Sequence, residues 1–155
     1  MPKSLGTGDW PEKSCEIRGI SVERYGAIML GLFGIFGRSV DLQRIDDALR
    51  AFGLHPNRMP DAVKLTMLKQ LKEANGGKSP STQACVSASE LLVYCSLGAK
   101  EFSESNGIAR TEAAESRLVA ALDSGYGPDA RLVLLTLHAH VIHPSVVERF
   151  NLASE

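Results

Sequence analysis

The 155-residue chain has few of the features that identify a function from sequence alone. It holds only three cysteines, aromatic residues make up 6%, and the formal net charge is −1 from 17 basic and 18 acidic residues. So few cysteines do not make a disulfide framework, which favours a reducing, cytoplasmic compartment. The balanced charge provides no overall field that would draw the protein onto nucleic acid or an anionic membrane. We therefore expect no nucleic-acid partner.

The chain also lacks an apolar run long enough to cross a bilayer. The longest nearly continuous stretch, from Tyr25 to Gly37, falls short of the roughly 20 residues that a spanning helix needs. Acidic residues precede this stretch and no small-x-small site follows it, so it does not match a signal peptide. We predict no membrane span, a flexible N-terminal tail over residues 1–15 and a single domain over residues 16–152.

Apolar residues recur at helical spacing along most of the chain, in segments divided by proline and glycine. This pattern predicts an all-α fold, a compact single-domain bundle of six or seven helices with the fourth and sixth segments at its centre. The predicted helices are Ser21–Phe36, Val40–Phe52, Pro60–Ala74, Pro80 to about Ser105, Glu112–Ser124, Pro128–Ile142 and Pro144–Phe150.

The sixth segment is open to a second interpretation. Leu132 to Ile142 is apolar nearly all round, which suits a helix surrounded by other helices but also a buried strand. We favour the helix because no other segment offers a strand to pair with. In a strand, His138 and His140 would point to the same side and could share a metal ion.

Three histidines lie close together near the C-terminus, and imidazole is a common metal ligand. On a helix, His140 and His143 share a face while His138 points elsewhere. A metal site on His140 and His143 would then need a further ligand, such as Glu148 or His55. The alternative places His138 in the core with a hydrogen bond, His143 as a helix cap and His140 partly exposed, and the sequence favours this alternative.

The fourth segment carries the most regular apolar stripe of the chain, with steps that alternate between three and four residues. Its members are Cys85, Ala88, Leu92, Cys95, Ala99 and Phe102. Cys85 and Cys95 are too far apart along one helix to form a disulfide with each other. We expect both thiols to pack in the core, since free cysteine is among the most buried residue types.

Glycine recurs every third residue at Gly31, Gly34 and Gly37, between bulky side chains that include Phe33 and Phe36. Glycine on a helix face lets a second backbone approach closely, which suits packing in the core or across a dimer interface. An interfacial membrane anchor is the alternative, but the segment has no polar face rich in lysine and arginine. These five residues are therefore the candidate interaction site.

The second and third segments resemble a helix-turn-helix in outline, with Lys64, Lys69 and Lys72 on the second helix. The connection from Gly53 to Met59 is longer than that motif uses. A solvent-facing basic surface is the more ordinary meaning of such lysines in a chain without net positive charge.

No serine lies in a nucleophile-elbow pattern, and no residue spacing indicates a catalytic group or a cofactor. The expected function is a non-enzymatic, cytoplasmic protein-interaction or regulatory module that binds a protein partner or a second copy of itself. Self-association would use the glycine-rich segment or the stripe beginning at Cys85. The alternatives are a small metal protein or enzyme built on the histidines and a helix-turn-helix nucleic-acid binder.

We expect Gly34→Leu to weaken self-association or folding, because the leucine side chain would hold apart two backbones that approach at the glycine. Sedimentation and thermal melting of the full chain measure the two effects. An unchanged mass together with an unchanged melting temperature would contradict the role assigned to this segment.

Overall fold

The computed structural model describes residues 39–152, and the fold over that range is all-α, as predicted. The predicted tail, the first predicted helix and Cys15 lie outside the described residues. Each of the other six predicted segments forms a helix. Their bounds are α1 Val40–Ala51, α2 Asp61–Ala74, α3 Thr82–Asn106, α4 Ile108–Ser124, α5 Pro128–His138 and α6 Pro144–Arg149, with a short 3-10 turn at Pro56–Arg58 between α1 and α2.

The helix α3 lies at the centre of the bundle and contacts every other helix of residues 40–152. All members of the predicted stripe except the half-buried Ala99 are buried. The stripe beginning at Cys85 therefore belongs to the core, so it is not a surface through which two copies could associate.

A kink at Gly98 divides α3, and the regular stripe gave no sign of it. Gly98 adopts φ 79° and ψ 168°, which is outside the helical region. The kink interrupts the helical hydrogen bonding, and the backbone N–H of His143 donates to the carbonyl oxygen of Cys95 at 2.7 Å. The start of α6 thus packs directly against the bend in α3.

The helix α5 lies nearer the surface than the sequence indicated. Ala130, Leu132 and Val133 are buried, but Leu134 is 50% exposed, so α5 is not surrounded on all sides. The helical assignment is confirmed, although the helix ends at His138 rather than at Ile142. It ends there because His140 takes a left-handed φ of 56°.

The start of α4 is four residues earlier than predicted. Thr111 was expected to precede the helix, but its hydroxyl instead donates to the carbonyl oxygen of Gly107 at 2.8 Å from within the first turn. Threonine can make this bond inside a helix as well as cap one, so the residue type alone does not fix the boundary. Gly107, at φ 87°, separates α3 from α4.

None of the helices between residues 39 and 152 combines the length and the hydrophobicity that a bilayer-spanning helix requires.

We expect Gly98→Ala to destabilise the domain by at least about 1–3 kcal/mol, the usual cost of a backbone region that is almost restricted to glycine. The new Cβ would also lie 2.7 Å from the Ser145 Oγ. Gly107→Ala is a matched control with φ 87° and ψ 162°, where no described residue lies within 4 Å of the added Cβ. Denaturant unfolding should show the larger loss for Gly98→Ala, and equal losses would mean that the contact with α6 is unimportant.

Candidate functional site

A groove of about 630 Å³ lies between α2, α3 and α5, with Arg117 of α4 at one end. Its surface is mostly apolar and it opens to solvent. Ligand sites in proteins are commonly concave, largely apolar and about 300–1,000 Å³ in volume. The groove has the size and the character of a binding site for an apolar group.

The apolar floor follows from the spacing and size of side chains on two helices. Met67, Leu71 and Ala74 are separated by four and three residues, so they line one face of α2. Across from them, α3 contributes Ala84 and Ala88. These alanine side chains are too short to fill the space between the helices, and the groove results.

Arg117 is the residue of α4 that lines the groove. Its Nε and Nη2 donate to the two carboxylate oxygens of Asp129 on α5, at 3.1 and 2.8 Å. Its Nη1 donates to the carbonyl oxygen of Ser87 at 3.0 Å and lies 3.5 Å from Glu90 on α3. Arg117 thus ties three helices together, and its charge is already balanced by two carboxylates.

Arg131 differs from Arg117 because it forms no ion pair within residues 39–152. It lines the groove from α5 and its side chain is exposed to solvent. The groove therefore combines an apolar floor with one unbalanced positive charge at its edge.

All four histidines lie in the part of the chain that the structure describes. No group of three or more His, Cys, Asp and Glu side chains there is placed to hold a metal ion. His140 is exposed in the turn after α5, and His138 is exposed at the end of α5, which corrects the expectation of a core position. A weaker site on His140 and His143 stays a prediction.

His55 and His143 have the same structural role. The Nδ1 of His143 accepts a hydrogen bond from the Ser145 backbone N–H at 3.2 Å, as expected of a helix cap. The Nδ1 of His55 accepts from the Asn57 backbone N–H at 3.2 Å. Each histidine precedes a proline, so the two His-Pro steps begin helical turns in the same way.

Both described cysteines are buried free thiols, as predicted. Burial raises the pKa of Cys95 to about 12, although its hydrogen bond with Thr136 acts in the opposite direction. Burial is also the main cause of the raised pKa of Cys85, to which Asp41 adds. The thiolate is the reactive form of cysteine, and the raised pKa values keep both thiols protonated. Their role is therefore packing in the core.

The basic surface expected on α2 is only partly present. Lys64 is 1% exposed, and its Nζ lies 3.1 Å from Asp46 and 2.9 Å from Asp61. Lys72 pairs with Asp41 at 3.3 Å. Two of the three lysines therefore hold helices together, and only Lys69 matches the expected solvent-facing role.

The candidate interaction site made of Gly31, Phe33, Gly34, Phe36 and Gly37 lies outside the described residues. Among the described residues, the candidate functional site is the groove between α2, α3 and α5. The sequence missed this site because it depends on side chains of α2, α3 and α5 that meet only in the folded protein. The one signal was the short side chains of Ala84 and Ala88 beside larger residues of the stripe.

Fold and groove together define an all-α helical bundle with a cavity of ligand size. Comparisons of the chain with known protein families, curated proteins and solved structures find no match.

We expect Lys64→Met to destabilise the domain by up to about 3–5 kcal/mol, because it removes one partner of the buried ion pair with Asp46 that joins α1 and α2. Lys69→Met on the same helix is the control, since a surface substitution usually changes stability by no more than about 0.5 kcal/mol. Urea unfolding of the two variants measures the difference. Similar stabilities would show that the buried ion pair does not hold α1 and α2 together.

Proposed function

We propose that this protein is a non-enzymatic binding module and that the groove between α2, α3 and α5 holds an apolar part of its partner. The observation that carries the proposal is the groove itself, with its volume of about 630 Å³ and its mostly apolar surface. Apolar surface exposed in a concavity of this size is a common property of ligand and protein binding sites.

The walls of the groove support a preformed site. Met67 is fully buried and Ala88 nearly so, so the floor is part of the hydrophobic core. The ion pair between Arg117 and Asp129 fixes α4 against α5 at one end. A rigid groove loses little conformational entropy when it binds, which favours affinity.

Self-association through Gly31, Gly34 and Gly37 remains part of the proposal as a separate activity of the N-terminal segment. A cytoplasmic location also remains a proposal, supported by the small number of cysteines.

The test is binding of a neutral apolar fluorophore, N-phenyl-1-naphthylamine, to the full chain. We expect an increase in fluorescence on binding. Ala74→Trp should lower the affinity about tenfold, because the indole would occupy part of the groove and remove about 1.5 kcal/mol of apolar burial from the probe. Ala74 is exposed at the end of α2, so this substitution is compatible with folding.

Ala62→Trp is the matched control, because Ala62 is exposed on the same helix and does not line the groove. It adds the same chromophore without filling the site, and circular dichroism checks that both variants are folded. Absence of binding to the wild type, or equal binding by the two tryptophan variants, would refute the proposed function.

A further inference from the structure

The charge at the edge of the groove narrows the class of ligand. Three charged residues line the groove: Arg117, Asp129 and Arg131. Asp129 accepts two hydrogen bonds from Arg117, which also lies 3.5 Å from Glu90, so Arg117 leaves no unpaired positive charge in the groove. The remaining charge, on Arg131, is positive and takes part in no ion pair within residues 39–152.

We propose that the groove binds an amphiphilic carboxylate, a molecule with a flexible apolar chain and a carboxylate head group, and that Arg131 binds the head group. This inference rests on the proposed function and deepens it. The chain would lie along Leu71, Ala74 and Ala84, the lining residues that are accessible to solvent, while the head group would stay at the solvent-exposed edge. Arginine suits this role because its planar guanidinium can donate two parallel hydrogen bonds to one carboxylate.

The positive charge of Arg131 favours an anionic ligand over a cationic one. An anionic head group beside Arg131 would gain an ion pair, whereas a cationic one of equal chain length would meet a like charge. Because the site is open to solvent, the ion pair contributes modestly and the apolar chain supplies most of the affinity.

The experiment is displacement of N-phenyl-1-naphthylamine from the full chain by octanoate, decanoate and dodecanoate, and by dodecyltrimethylammonium, all below their critical micelle concentrations. We expect the dissociation constant of the carboxylates to fall about three- to fourfold for each added methylene group. Dodecanoate should bind more tightly than the ammonium compound of the same chain length.

Arg131→Gln should weaken dodecanoate binding about two- to fivefold, the range for a solvent-exposed ion pair, and leave binding of the neutral probe unchanged. Arg58→Gln is the control, since it changes the net charge equally at an exposed residue that does not line the groove. Ala74→Trp should weaken binding of every ligand in the series.

The outcomes separate the two proposals. Probe binding in the groove with equal affinity for the anionic and cationic amphiphiles, or with no effect of Arg131→Gln, would overturn the carboxylate proposal and leave the proposed function intact. Failure of every ligand to bind would overturn both. If sedimentation shows a dimer that Ala74→Trp dissociates and dodecanoate does not, a second copy occupies the groove, and the carboxylate proposal is again overturned.

Discussion

The structure of residues 39–152 depends on the complete burial of the middle of α3. Five consecutive residues, Leu91 to Cys95, have no solvent exposure, so neighbours surround the helix on every side at this level. A helix normally buries one face and leaves the other to water. Here the other helices gain their own buried faces by packing against α3, and the fold is organised around this one element.

Tyr94 lies within this fully buried stretch, where an unpaired hydroxyl would be costly. The hydroxyl of Tyr94 donates to Glu115 at 3.1 Å, and Arg149 of α6 pairs with the same carboxylate at 2.8 Å. Burial and the negative charge of Glu115 raise the pKa of Tyr94, so the phenol stays protonated and keeps its role as donor. The aromatic ring packs edge-on against Phe102. One side chain thus contributes both apolar packing and a hydrogen bond between helices.

Much of the fold could be predicted from the sequence because helical periodicity and helix-ending residues are local signals. Leu42, Ile45, Leu49 and Phe52 follow one another at helical spacing and are all buried on one face of α1 or just beyond its end. Both α1 and α2 begin and end within one residue of their predicted bounds. The role of His143 as a cap was also visible, since a side-chain acceptor commonly precedes a helix that begins with proline.

Features that depend on tertiary contacts were not predictable. The stripe of α3 runs through the Gly98 kink without a change of spacing, because the bend is set by the packing of α6 against it. Lys64 carries a charge and was assigned to solvent, although Asp46 makes its burial possible. The groove was not predictable either. The sequence shows the short side chains of Ala84 and Ala88, but it does not show how far α3 lies from α2 and α5.

The hydrogen bond from the His143 backbone N–H to the Cys95 carbonyl oxygen links the C-terminal residues to the stability of the bundle. Cys95 is fully buried, and the bend at Gly98 disturbs the helical pairing of the carbonyls before it. A polypeptide that stopped before His143 would lose this hydrogen bond together with the packing of α6, including the buried Val146, against α3. The short final helix is therefore an integral part of the folding unit, although it contributes only six residues.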